Sequence, residues 1–372
     1  MNATQDAPVA AAPALDPSKS WIGKSLKHAK MLTCGRVSPC GNFVAAGGAD
    51  GKVHRWVLET GEKTELGGHT GYLAAVAFLP DGRLLSADRH GTIRLWAFGE
   101  GEPKAAWTVQ QAHAGWVRAL ALSPDGKTFA TGGHDKVVRL WSSEDGKPLR
   151  ELSGHGGNVL SVLFHPDGKS LVSGDLLGSI RHWDPETGKL VRELDAKILH
   201  TRGEEFLADV GGVRSLAFDS KGERLAAGGI REAKSNTFCP GSPSVLVFDW
   251  AAGKRTQMHV PKDDRIDGYV NSLAWLPDGT LAGVGEAHAA GAFFFWKPGE
   301  AQAFHQMHMQ SGYEISAHPD GLRLLVASFD PKGRGGNGRH AGRAEYVANG
   351  GCVNELNLFA KPAPPKPAPK KK

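Results

Sequence analysis

A glycine that ends a short polar turn recurs seven times, at Gly41, Gly82, Gly126, Gly168, Gly222, Gly279 and Gly321, with spacings of 41, 44, 42, 54, 57 and 42 residues. At Gly82, Gly126, Gly168, Gly279 and Gly321 it closes Pro-Asp-Gly. Proline presets φ, aspartate caps the turn and glycine accepts a positive φ, so the tripeptide predicts a hairpin between the apolar runs that flank it. Residues 113–141, HAGWVRALALSPDGKTFATGGHDKVVRLW, show the unit: strand, turn, strand, loop, strand. Each copy closes its third strand on an aromatic residue, namely Trp56, Trp96, Trp141, Trp183, Phe248, Trp296 and Phe359, and KPLREL and KLVREL supply a fourth strand after Trp141 and Trp183. A unit of this size cannot bury its apolar face alone. Stacked copies share a core, so the 372 residues are one array rather than the two domains that length alone would suggest.

Four strands per period, with Gly-His before and Trp after, resemble the WD40 repeat. Gly68-His69 and Gly154-His155 give the dipeptide, Ala112-His113 nearly does, and Trp-Asp itself stands only at Trp183-Asp184. The resemblance covers about residues 20–360 and implies an all-β fold, a seven-bladed β-propeller of four-stranded antiparallel blades. The seventh copy runs into a proline-rich tail after CVNELNLF (352–359), with no room for a fourth strand, whereas SWIGKSLKHAK (20–30) precedes the first copy. WD40 propellers commonly close their ring with such an N-terminal strand, which removes the open edges of the array. The expected organisation is therefore an Ala/Pro-rich disordered arm at 1–19, the propeller at 20–360 and a disordered Lys/Pro-rich tail at 361–372.

The resemblance also implies a hydrogen-bond chain within each blade: a His before the first strand, a Ser or Thr on the second, an Asp six residues before the Trp, and the Trp, whose buried indole N–H needs a partner. Only the third copy carries all four, as His113, Thr131, Asp135 and Trp141. The second has His69, Ser86 and Trp96 but His90 at the acid position; the fourth has His155, Ser173 and Trp183 but Leu177 there. The first has Asp50 and Trp56 but Ala46, and the last three copies have largely lost the chain. These residues are expected to be structural, not catalytic.

The net charge is +5, and five lysines lie in the last twelve residues, so the body is close to neutral and a nucleic-acid-binding body is not implied. Cys34, Cys40, Cys239 and Cys352 form no CxxC pair, which argues against a zinc ribbon or a thioredoxin-like site and for a reduced, cytoplasmic setting. No apolar run reaches the ~18–20 residues of a membrane span. The N-terminus lacks the basic and apolar regions of a signal peptide.

Function is expected where long loops meet a rigid scaffold. Three stretches exceed the repeat length, at about 195–209, 230–244 and 330–350, and all three belong to one face. This is the face where loops enter the first strands and join the second strands to the third. Ten residues before each turn glycine stands the first exposed position of the inner strand: Met31, Tyr72, Trp116, Asn158, Gly212, Tyr269 and Ser311, with Tyr313 two residues after the last. Arg89 and His134 stand beside them. Aromatic residues are rigid amphipathic anchors. Met31, Tyr72, Arg89, Trp116, His134, Asn158, Tyr269 and Tyr313 are thus the candidate partner-binding residues, and in WD40 proteins this rim is the usual partner surface.

Other signals carry less. Gly23-Lys24-Ser25 and Gly168-Lys169-Ser170 lack the upstream glycine of a phosphate loop, and no GxSxG elbow occurs. His305, Met307, His308 and Met309 could suit a soft metal but fit an irregular outer strand, and no metal or cofactor is expected. The expectation is a monomeric, non-enzymatic scaffold for a protein or peptide. Two alternatives stay open: a propeller enzyme with its site at the channel mouth, and an RNA-binding propeller using the basic loop 332–343 and the C-terminal tail.

Overall fold

The computed structural model describes residues 13–99, 102–205, 207–236, 240–286, 291–309, 311–330 and 350–362. Seven four-stranded antiparallel sheets follow one another around a closed ring. Their innermost strands are Leu32–Val37, Leu73–Phe78, Val117–Leu122, Val159–Phe164, Ser215–Phe218, Tyr269–Trp275 and Gly312–Ala317. The third blade shows the plan, running outward through Val117–Leu122, Thr128–Gly133, Val138–Ser142 and Pro148–Leu152. The outer strand of the seventh blade is Trp21–His28, paired antiparallel with Gly351–Asn357 from Trp21 opposite Asn357 to His28 opposite Gly351. The ring is thus closed by the N-terminal strand, as the incomplete seventh copy implied. The closing strand is preceded by Pro17–Lys19, a 3-10 turn capped by Asp16, whose backbone N–H donates to the Leu358 carbonyl at 2.7 Å.

The turn glycine of each repeat has a φ between +71° and +88°, the left-handed region that strains any residue with a Cβ. At Gly126 the turn also leaves no room, because an added Cβ would lie 2.6 Å from Cδ of Pro80 in the preceding blade. The turn therefore reverses the chain and also seats one blade on the next.

Blade faces are apolar on both sides, so each interface between neighbouring blades has its own core. Between the second and third blades these residues include Leu85, Ile93, Val117, Phe129 and Trp141. At the seam between the seventh and first, Leu26, Leu325 and Val353 meet Leu32, Val44 and Trp56. Truncating such a buried aromatic to Ala costs about 3–5 kcal/mol. The seam includes Leu26 of the closing strand, so that strand completes a core as well as a sheet.

In six blades the inner strand carries a bulge just after its first or second residue, for example between Val117 and Ala119 and between Val270 and Ser272. A bulge inserts a residue with no cross-strand partner and re-aims its side chain. Here the inserted residues are Thr33, Ala74, Arg118, Leu160, Asn271 and Tyr313, and all line the central channel.

The stretch at 195–209 is built, not loose. It forms the 3-10 turn Lys197–Leu199 and a hairpin pairing His200–Gly203 with Ala208–Gly211. Within 230–244, pairing extends to Arg231 opposite Ser242. Most of 330–350, including the basic loop 332–343, lies outside the described residues, as does the tail from 363 onward.

Candidate functional site

In the third blade His113 Nε2 lies 2.7 Å from Thr131 Oγ1, the Trp141 indole N–H donates to the same oxygen at 2.8 Å, and His113 Nδ1 lies 2.8 Å from Asp135. The second and fourth blades were expected to lack the acid, and here the expectation is corrected. The acid comes from the last residue of the second strand, eight residues before the Trp instead of six. His69 Nδ1 lies 3.0 Å from Asp88 and its Nε2 2.7 Å from Ser86, which also takes the Trp96 indole N–H. His155 likewise joins Asp175 at 3.0 Å and Ser173 at 2.6 Å, and Trp183 donates to Ser173. From this position a carboxylate also caps its loop: Asp175 accepts the Leu177 and Ser179 N–H groups at 3.0 and 2.9 Å. The missed signal was an Asp ending the second strand.

These clusters imitate the Ser-His-Asp arrangement of hydrolases without its chemistry. Ser86, Thr131 and Ser173 are fully buried, and each hydroxyl oxygen already accepts an indole N–H. No substrate carbonyl can reach them.

The first blade is different. Asp50 accepts from both His28 and His54 at 3.1 Å, and the two rings lie 3.8 Å apart across the seam. His28, His54 and Glu65 bring three potential metal donors within 4.8 Å of one another. Glu65, however, is taken by Lys52 and Lys63 at 2.8 Å each, which hold its carboxyl down at about 2. The cluster fits an ion network that ties the closing strand to the first blade. His305, Met307 and Met309 do not converge on a metal position: Met307 and Met309 pack into the core between the sixth and seventh blades, and His305 lies along Phe295.

The face predicted for partner binding has an uneven rim. Tyr72 is 47% and Trp116 42% exposed. The Arg89 guanidinium lies over both rings, 5.7 Å from the first centroid and 5.2 Å from the second, and His134 packs against Trp116 at 4.9 Å. Met31 and Asn158 are half-buried; Tyr313, also half-buried, directs its hydroxyl toward the Met31 sulfur at 3.7 Å. Tyr269 is buried among Val210, Ile230 and Ala233, so the aromatic surface is concentrated at the second and third blades.

Below the rim is a 260 Å³ cavity whose lining includes Arg36, Arg89, Arg118, Arg214, Asn271 and Glu314. Glu314 accepts the Gly35 N–H at 2.8 Å and ion-pairs with Arg36, while burial raises its pKa. Arg118 extends to within 5.8 Å of the Trp116 ring, and Arg214 lies 3.6 Å from that of Tyr269. Burial, with Arg214 and Arg89 adding repulsion, pushes the Arg118 pKa down to about 10, so it remains charged at neutral pH. His134 is lowered by burial and by Arg118 and Arg89. The sequence reading found Arg89 and His134 on this face and missed Arg118 and Arg214, two residues beyond Trp116 and Gly212. The mouth is cationic as well as aromatic.

A ring of seven four-stranded sheets around a channel places the protein among the seven-bladed β-propellers. Residues 22–56, 61–97, 106–142 and 146–184 match the WD40 family, described as WD domain, G-beta repeat. The chain thus carries WD40 repeats within a seven-bladed propeller. Over 88 residues it is 35% identical to guanine nucleotide-binding protein subunit beta-1 of Caenorhabditis briggsae, a match covering 22% of this chain and 26% of that protein. Among the described residues no helix is long and apolar enough to cross a membrane.

Proposed function

We propose that the protein is a non-enzymatic scaffold that holds a protein or peptide partner over the mouth of its channel. The observation that carries this reading is the exposed pair Tyr72 and Trp116, bridged by Arg89, at the mouth of the channel. Large exposed aromatics next to a guanidinium are the side chains that dominate interface hot spots. The partial likeness to a protein named as a subunit supports a role in assembly. A non-catalytic role is supported by the full burial of Ser86, Thr131 and Ser173, the hydroxyls of the three Trp-linked chains.

Affinity purification with Tyr72→Ala and Trp116→Ala tests the reading. At exposures above 40% neither truncation opens a large core cavity, so the melting temperatures should stay within a few degrees of wild type. Loss of a hot spot costs about 2 kcal/mol, so the partner's Kd should rise roughly thirtyfold in each variant. An unchanged interactome with a steep drop in melting temperature would make the aromatics structural and overturn the proposal.

A further inference from the structure

Three positive charges converge at the channel mouth with no counter-charge of their own among the described residues. Arg89, Arg118 and Arg214 line one 260 Å³ cavity, and none of their guanidinium groups forms an ion pair or hydrogen bond with a described residue. Their contacts are the ring faces of Tyr72, Trp116 and Tyr269. Nε of Arg214 is buried with no hydrogen-bond partner among the described residues. The carboxylate in the same lining, Glu314, is already held by Arg36 and the Gly35 N–H.

This arrangement does not serve the fold. Like charges sharing a partly desolvated cavity repel, and a buried donor without a partner is a cost. The depressed pKa of Arg118 comes first from burial, with repulsion from Arg214 and Arg89 adding to it. Such frustration is relieved by an oxyanion, whose planar or tetrahedral oxygens match the guanidinium fork. The aromatic faces hold the guanidinium groups apart and aimed, so their side-chain entropy is largely spent before binding.

We propose that Arg89, Arg118 and Arg214 form an oxyanion site that seats an acidic side chain, carboxylate or phosphate, of a peptide segment docked on the rim. This rests on the partner-binding reading above and names the chemistry of the partner. A peptide is favoured over a nucleic acid because the charge is confined to one narrow cavity in a body that is otherwise near neutral. Backbone tracking along RNA or DNA needs an extended basic surface. Tyr72 and Trp116, beside the cavity, would cover apolar residues flanking the acidic one.

The test uses the full chain and three probes: a hexaglutamate peptide, a hexapeptide with one phosphoserine among Gly and Ala, and a ten-nucleotide oligouridine. Isothermal titration at low and moderate salt should show one or both peptides binding, weaker as salt rises. Arg118→Gln and Arg214→Gln should each weaken binding tenfold or more, with melting temperatures equal to or above wild type because repulsion is removed. Lys24→Gln, on the ring's outside, should change nothing. The inference is overturned if neither peptide binds, if binding is indifferent to the arginine variants, or if only the oligouridine binds. Partner capture in the same variants separates the two claims. Capture lost with Tyr72→Ala and Trp116→Ala but kept with Arg118→Gln and Arg214→Gln would sink the oxyanion site and leave the scaffold reading standing. Capture indifferent to all four would sink both.

Discussion

Asp175→Ala should destabilise the protein more than Asp135→Ala, although only Asp135 occupies the expected acid position. The Asp175 carboxylate is fully buried and meets His155 Nδ1 at 3.0 Å and the N–H groups of Gly157, Leu177 and Ser179 at 3.3, 3.0 and 2.9 Å. Its truncation orphans the donors of His155 and Gly157 in a buried site and uncaps a loop. Two orphaned buried donors at about 1–3 kcal/mol each give a loss of about 2–6 kcal/mol. Asp135 is partly exposed and meets His113, the Ala114 N–H and Arg139, so water and Arg139 can rearrange into the space it leaves. Its loss should cost nearer 1–2 kcal/mol. Urea denaturation followed by tryptophan fluorescence measures both, with equal m-values needed for the comparison. Asp88→Ala, in the same geometry as Asp175, should fall with it. If Asp135→Ala proves the more damaging, the assignment of the strand-end aspartates to the buried network is wrong.

Two further outcomes follow from closure and from burial. Removing residues 1–27 strips the closing strand from Gly351–Asn357 and opens the seam core at Leu26, so soluble monomer should be lost, whereas removing 1–12 should leave the melting temperature unchanged; equal behaviour of the two truncations would refute closure by this strand. Stability should also fall between pH 6.5 and 4. His259, buried and bonded to the Glu300 carbonyl, has its pKa pushed down by burial to about 4, and burial with Arg192 and His165 does the same to His182. The unfolded chain, titrating near 6.5, binds more protons in that window, so stability present above it is lost as the pH drops, by about 3 kcal/mol for His259. A melting profile flat from pH 7 to 4.5, or one that His259→Asn leaves as steep as wild type, would contradict this.

The architecture was legible because the hairpin turn repeats itself. A glycine that must adopt a positive φ leaves the same mark in each copy even where the blade has lost its Trp, as at Gly222 before Phe248. The buried network was legible only in part. A spacing counted back from Trp141 finds Asp135, but the loops of the second and fourth blades take their acid from the strand end, where Asp88 and Asp175 cap the loop and bind the histidine together. The cationic mouth was the least visible. Strict alternation along VRALAL assigns each side chain to one of two faces, and the bulge at Arg118 breaks that alternation, so consecutive residues Arg118 and Ala119 both reach the channel. Nor does the sequence tell that Arg89, Arg118 and Arg214, up to 125 positions apart, share one cavity. Ring closure brings them together.

The network and the proposed binding rim meet at one loop, and this gives a way to separate their roles. Asp88 accepts the His90 and Thr92 N–H groups at 2.9 Å, fixing the turn from which Arg89 projects over Tyr72 and Trp116. Asp175 fixes the equivalent turn in the fourth blade, where the neighbouring residue is Leu176 and no charge is presented. The two aspartates therefore make comparable contributions to stability and unequal ones to the mouth. Under conditions where both variants remain folded, Asp88→Ala should weaken capture of the partner by about tenfold, a cost of about 1.4 kcal/mol for releasing one guanidinium from its pre-set position. Asp175→Ala, with a similar melting temperature, should leave capture near wild type. Circular dichroism and binding measured on the same samples make the comparison. Equal weakening by both variants would mean that binding responds to blade stability in general, and the special place given to Arg89 would have to be abandoned.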